Sequence, residues 1–429
     1  MRPLPLRFDE AWSALCELVP NSSRGPLDEA SESAGRGVFQ HLQRQITHQI
    51  DRAVRDDLHR EMLQLPRSDT RRIAWMSVDR LSSQWVRSYP TASCELSDQE
   101  FPEVFCTYLG RESPVVRALA GWAIPCGRTE RGTGRPIPCA CDEYGFRLAN
   151  AKLPGDDDTR CHDSIGRELF DIIQEARLRT SLQPSDLFTS IIPVGYLVRA
   201  GRPRDIIPDA AIDVALPAVV TARGQRRGAA RHPRRLLFDV KTIHVGCYHY
   251  YSAHAAEEQS GAVRHREAEV WPDYVSHAQE CDRHYYPAAG TTPFEDRLRG
   301  HSETRGLVFG GYGEGSADVH DLLSVAADEI AAREWRQAGA RTLGEYRSCV
   351  IDRLRRRMGL ASVRAMARHR LGRVPFIGVP RATVAAAIQR ARDQRHAARV
   401  GRPPPLPLVY ADHFYAWQAG GAAAGPVGA

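Results

Sequence analysis

The stretch 235-RLLFDVKTIHVG-246 decides how this chain is read. Apolar residues lead into Asp239-Val240-Lys241, and Thr, Ile, His and Val follow before Gly246. Side chains alternate across a strand, so Asp239 and Lys241 share one face while Phe238, Val240 and Thr242 share the other. Burying one charge is costly and burying two without partners is worse, so this pair needs a compensating role. Two roles are open. In the first, the strand is half exposed and its polar face meets water. In the second, the carboxylate holds Mg²⁺ and the Lys prepares a water for attack on a phosphodiester. Three residues alone do not choose between them.

The surrounding rhythm is that of an α/β chain. Asp163 is placed to cap SIGRELFDIIQEARLRTS, an amphipathic helix. Three strand-like runs follow, SIIPVGYLV, AAIDVALPAVV and RLLFDVKTIHV, rich in branched residues and punctuated by Gly, Pro and Arg. Residues 262–286 read as a helix that Pro272 starts or kinks; GLVFGGY is a strand, and a helix capped by Ser316 follows it. Helix, three strands, helix, strand, helix implies an α/β core.

Outside this core, residues 1–35 are Pro/Ser/Gly-punctuated and read as a loose N-terminus. Residues 36–123 form a helical region, with candidates from Gly37 to Leu65 and from Ser68 to Tyr89. A third begins at Ser97, where Glu100 stands at the capping-box spacing. Residues 124–161 are a Cys-containing irregular linker or knuckle, residues 162–340 the core, and residues 341–398 an Arg-rich helical extension. The Pro/Gly/Ala tail at 399–429 has the composition of disorder.

A chain of 429 residues suggests two or three units. It contains no apolar run of membrane-spanning length, which argues against a span. The acid in MRPLPLRFDEAW breaks the apolar stretch of a secretory leader, so the expected location is intracellular, and nuclear in a eukaryotic host. Ten scattered Cys suit reduced thiols or a metal knuckle better than a disulfide scaffold. Net charge is +6 with Arg dominating Lys, which favours a polyanionic partner. Arg226, Arg227, Arg234 and Arg235, with Arg355, Arg356 and Arg357 further on, are the candidate phosphate-tracking residues.

Pro208-Asp209 stands thirty residues before Asp239, in IIPDAAIDV. A PD followed, after a loop, by LFDVK resembles the PD-(D/E)xK pattern of restriction-like endonucleases, and the order of elements is similar to that family's αβββαβ core. The resemblance implies a Mg²⁺- or Mn²⁺-dependent nuclease. In it Asp209, Asp239 and the Val240 carbonyl hold the metal, and Lys241 orients the attacking water or offsets charge at phosphorus. Asp213, on the same strand face as Asp209, is the alternative second-strand acid. Glu168 and Glu175 are alternative acids from the preceding helix, and Asp205 is a more distant one.

A broader resemblance covers roughly residues 80–375. WVRSYPTASCELSDQEFPEVFCTYLGRESP, Cys139-Ala-Cys141 and Arg160-Cys161-His162-Asp163 look like the segment downstream of the reverse transcriptase in non-LTR retroelements. It implies a detached endonuclease-like portion acting on DNA, or on RNA or a DNA/RNA hybrid, since no polymerase motif is present. A catalytically inactive nucleic-acid-binding protein that keeps the fold is the alternative. The family's knuckle continues G-x-H-x-x-x-C, whereas this chain reads Gly145-Phe146-Arg147-Leu148-Ala149-Asn150-Ala151. Cys126, Cys139 and Cys141 with Cys161 or His162 remain a candidate zinc set. His244, Cys247, His249 and His254 form a second cluster able to serve a transition metal or, through His244, proton transfer.

Overall fold

The computed structural model describes residues 36–87, 95–126, 137–153, 157–182, 186–191, 207–214, 234–252, 257–287, 290–301 and 303–380, with isolated positions between and after these spans. The expectations for residues 1–35 and 399–429, and for Asp205, Arg226, Arg227 and His254, lie outside the described residues.

The chain divides into two compact units, residues 1–75 and 76–429. In the first, helix α1 (Arg36–Gln64) is followed by helix α2 (Thr70–Ser77). The turn between them is tied by Arg72, which donates to the carbonyls of Leu63 and Leu65, each at 2.9 Å. The Trp75 indole N–H donates to Nδ1 of His59 at 2.9 Å.

In the second unit, α3 (Glu100–Tyr108) opens with the expected capping box. The Ser97 amide donates to Glu100 Oε2 at 2.9 Å, and the Glu100 amide donates back to Ser97 Oγ at 3.2 Å. A two-strand ribbon, β1 (Ala123–Ile124) and β2 (Cys139–Ala140), precedes a short helix α4 (Phe146–Ala149). Then come α5 (Asp157–Glu175), β3 (Arg179–Leu182), the short α6 (Asp186–Thr189), β4 (Ala210–Val214) and β5 (Arg234–Thr242). The one-turn α7 (Tyr248–Tyr251), the long α8 (Gly261–Tyr285) and α9 (Pro293–Arg299) lead to β6 (Arg305–Phe309). Helices α10 (Ala317–Glu334) and α11 (Leu343–Arg373) follow.

Strands β3 to β6 form one mixed sheet in that spatial order: antiparallel, antiparallel, then parallel between β5 and β6. The alternation of β5 sorts its residues as expected. Leu236, Phe238 and Val240 join a core with Ile165, Leu169 and Ile172 of α5, Leu323 and Ala327 of α10, and Leu354 and Met358 of α11. Helix α8 packs on β6 so closely that a Cβ on Gly306 would stand 2.7 Å from Val270 Cγ2, so only glycine fits there.

Four expectations about the elements are corrected. The strand beside β4 is Arg179–Leu182, not the run from Ser190, whose residues beyond Ile191 lie outside the described ones. Arg177, at φ 57°, ends the preceding helix and turns the chain into β3. Helix α5 begins at Asp157, so Asp163 lies inside it rather than capping it. Ser316 makes no side-chain cap; its Oγ donates to Gly306 O at 2.8 Å and accepts from the Val308 amide at 3.2 Å, fastening α10 to β6. Helix α11 is no basic extension. It is part of the core, with Leu354, Met358 and Met366 buried and Arg357, Arg368 and Arg370 paired to carboxylates of other elements.

Candidate functional site

Strands β4 and β5 pair with Ala210 opposite Phe238 and Ile212 opposite Leu236. Carried one residue outward, that register sets Asp209 opposite Asp239, and opposed residues of an antiparallel pair point to the same face. The Val240 amide donates to Asp209 Oδ2 at 2.8 Å, which fixes the carboxylate against β5.

Asp239 is 3% exposed. Lys241 Nζ lies 2.6 Å from Asp239 Oδ2, as the shared strand face requires. Asp239 Oδ2 is itself buried, and this ammonium is the contact it makes. Burial pushes the Asp239 carboxyl up to about 6, with Lys241 opposing and the charge of Asp209 adding. Burial also works against ionised Asp209, but the hydrogen bond and charge of His162 prevail and hold it below the usual carboxylate range. Two neighbouring carboxyls are thus driven apart in acidity.

His162 completes the cluster. Its Nε2 stands 3.1 Å from Asp209 Oδ2 and 3.0 Å from the Val240 carbonyl, and its Nδ1 stands 3.1 Å from Asp163 Oδ1. Asp209 foremost, against burial and with help from Asp163, pushes His162 up to about 9. The ring is therefore an imidazolium at neutral pH and donates from both nitrogens.

The other expected acids stand elsewhere. Asp213 pairs in register with Arg235, four residues along β5 from Asp239, roughly 13 Å at strand rise; its side chain lies outside the described residues. That distance removes it as the second acid. Glu168 and Glu175 do share a face of α5, but the face that meets α11. Arg357 reaches Glu168 at 2.9 Å and Glu175 at 2.5 Å, and Arg353 also pairs with Glu175. They are ion-pair partners of a packed helix, not acids of the site.

Of the phosphate-tracking arginines, Arg357 is corrected in the same way. Arg357 is engaged by those two glutamates, Arg356 donates to the Asp352 carbonyl at 3.3 Å, and Arg355 is half-buried. Arg234 and Arg235 lie on β5 with side chains outside the described residues.

The zinc set is not assembled. Cys126 and Cys141 lie in a small core cluster with Cys139 packed against it, Cys161 Sγ lies 3.8 Å from Met366 Sδ in the main core, and His162 is on Asp209. Among the described residues no group of three metal-ligand side chains contains a cysteine. His244 and Cys247 also part company. His244 stacks on His369 with centroids 3.9 Å apart, beside Asp158, while Cys247 Sγ lies 3.5 Å from His249 Nδ1.

The role of His162 escaped the sequence reading, although a signal was present. His162 precedes the buried stripe Ile165, Leu169, Ile172 at helical spacing, which puts it on the face of α5 turned to the sheet. Glu314, in the Gly-rich turn before α10, is a structural acid: fully buried, it accepts from the Tyr250 hydroxyl at 2.6 Å and the Tyr312 amide at 3.0 Å. Burial pushes its carboxyl up to about 8. Among the described residues no helix is long and apolar enough to cross a membrane. No protein-family model matches this chain, and no curated protein or solved structure does so either.

Proposed function

We propose that this chain is a metal-dependent, endonuclease-like phosphodiester hydrolase whose ion is held by Asp209, Asp239 and the Val240 carbonyl. The observation that carries the reading is that two carboxylates of neighbouring strands share one face, one of them accepting from the Val240 amide and the other 2.6 Å from an ammonium. The donor set consists of oxygens, which suits Mg²⁺ or Mn²⁺, and Asp239 Oδ2, buried and drawing the Lys241 ammonium to 2.6 Å, is where a cation is wanted. When bound, such an ion offsets the negative charge that builds on the phosphate. Lys241, with 37% of its side chain exposed, adds a mobile positive charge at the mouth of the site and positions the attacking water.

The choice of Lys at this place supports the reading. Among 58 Lys and Arg residues only Lys152 and Lys241 are lysines. A chain that otherwise uses arginine keeps a compact ammonium beside Asp239, and the two side chains are not interchangeable in acid–base work. The sheet order and the Pro208-Asp209 to Asp239-Val240-Lys241 pattern support kinship with restriction-like endonucleases of retroelements. The net charge of +6 supports DNA as the substrate, with RNA and hybrids as the variants to compare.

The test is nicking of supercoiled DNA by the purified chain with Mg²⁺ or Mn²⁺. Asp239→Asn and Lys241→Ala are expected to abolish nicking while changing DNA binding by no more than a few fold. Unchanged nicking in both variants rejects the site.

One observation favours a second reading, a nucleic-acid-binding protein that keeps the fold without cleavage. The His162 imidazolium already lies between Asp209 and the Val240 carbonyl, where it serves as a resident cation. That reading predicts DNA binding indifferent to Mg²⁺ and no nicking by the wild-type chain.

A further inference from the structure

Away from Asp209 and Asp239, a different donor set gathers where α7 meets α8. His265 and Glu269 are one turn apart on α8, and His249 comes to them from α7. His249 Nε2 stands 2.9 Å from Glu269 Oε2, and His265 Nε2 stands 3.9 Å from Glu269 Oε1. The three ligand atoms all lie within 4.8 Å of one another. Around a tetrahedral ion with bonds near 2.05 Å, neighbouring ligand atoms are about 3.3 Å apart, so closure needs only small side-chain adjustments.

The supports for such a centre are also in place. Tyr248 donates to Glu269 Oε1 at 2.6 Å, and Arg266 donates to Glu269 Oε2 at 2.9 Å and to Asp273 Oδ2 at 2.7 Å. The carboxylate is therefore oriented from two sides, and the Arg266 charge is shared with a second acid. Cys247 Sγ lies 3.5 Å from His249 Nδ1, the ring nitrogen that faces away from Glu269, where an outer partner sets the ring. His249 is buried, whereas His265 and Glu269 are about a third exposed, which leaves a path for an ion and a water.

We propose that His249, His265 and Glu269 bind one borderline divalent transition ion such as Zn²⁺, with a water in the fourth position. Two imidazoles and one carboxylate suit Zn²⁺ or Co²⁺, unlike the all-oxygen set at Asp209 and Asp239. The ion would fasten α7, which follows the strand carrying Asp239 and Lys241, to α8, which packs on β6. This centre stands independently of the phosphodiester hydrolysis proposed above. The group Asp158, His244 and His369 is a weaker candidate, because its two imidazoles stack face to face with centroids 3.9 Å apart.

Titration of the chelator-treated full-length chain with Co²⁺ alone, followed in the visible and near-ultraviolet, tests it. One equivalent is expected to give tetrahedral d–d absorption without thiolate charge-transfer bands, and Zn²⁺ is expected to displace it. His249→Ala and Glu269→Gln should each lose the signal, while Asp239→Ala should keep it. Zn²⁺ should also raise the thermal midpoint of the wild-type chain, a readout that does not depend on whether a variant folds. Absence of d–d absorption in the wild-type chain, a charge-transfer band from cysteine, or an undiminished signal in His249→Ala overturns the proposal.

Discussion

Two charged regions lie on either side of α5, and they are built on opposite terms. On the face toward α11, carboxylates meet arginines with good geometry. Glu168 and Glu175 share Arg357, and Arg373 holds Asp158 at 2.6 Å. Between α11 and α3, buried Arg370 pairs with buried Glu103 at 2.5 Å and also donates to Thr107 Oγ1 at 2.8 Å. On the face toward the sheet, Asp209 and Asp239 crowd each other, their acidities are driven apart, and the buried Asp239 Oδ2 has the Lys241 ammonium at 2.6 Å. The first region is satisfied and serves packing. The second sets the His162 imidazolium and the Lys241 ammonium against two crowded carboxylates, and under the function proposed above a divalent ion would take the place of the imidazolium.

The sharpest way to break the comparison is to remove a partner on the packing side. Arg370→Ala leaves Glu103 buried and unpaired, and is expected to cost about 3–5 kcal/mol in denaturant unfolding. A cost no larger than that of a surface pair would mean that the α11 seam is not the structural half. On the other side, Asp239→Asn should leave folding nearly unchanged, since it removes a carboxylate whose charge burial opposes. It should lower metal-dependent nicking by about a hundredfold or more, or ~2.7 kcal/mol of barrier.

Two pH effects sharpen the contrast further. The folded-state pKa of Glu314 is raised to about 8, so its contribution to stability is complete below its ordinary value near 4.5 and is lost as pH rises through 8. The wild-type chain should therefore lose stability over that window relative to Glu314→Gln, by at most ~1.4 kcal/mol per pH unit. His162 is raised to about 9, so its contribution is complete below 6.5 and lost as pH rises through 9. In chelator, the stability difference between wild type and His162→Asn should shrink over that range; a constant difference would show that the ring acts by shape rather than charge. The smallest effect belongs to Arg353→Ala. Its side chain is 45% exposed and Glu175 keeps Arg357, so about 0–1 kcal/mol is expected.

How legible all this was depended on the range of the interaction. The β5 alternation and the Ser97–Glu100 capping box are local, and both are found as read. The facing of Asp209 and Asp239 follows from strand order and a loop between them, so it too was within reach. β3 was not, because Arg179-Thr-Ser-Leu is short and polar and continues an amphipathic run; only the positive φ of Arg177 breaks the helix. Arg353 and Arg357 of α11 were misread because their partners stand far away in sequence; they look like part of a solvated basic face until Glu168 and Glu175 are placed opposite them. The rarity of lysine was visible throughout and pointed at Lys241 more directly than the three-residue pattern did.

The claim beneath the whole account is that two carboxylates on adjacent strands share a divalent ion. Crystals of the chain grown with Mn²⁺ and measured for anomalous scattering address it directly. The account predicts one peak about 2.0–2.2 Å from oxygens of Asp209 and Asp239 and from the Val240 carbonyl, with the His162 ring displaced from it. Crystals with Mn²⁺ in the solvent but no peak there, and with His162 Nε2 still against Asp209 and Val240, would contradict it.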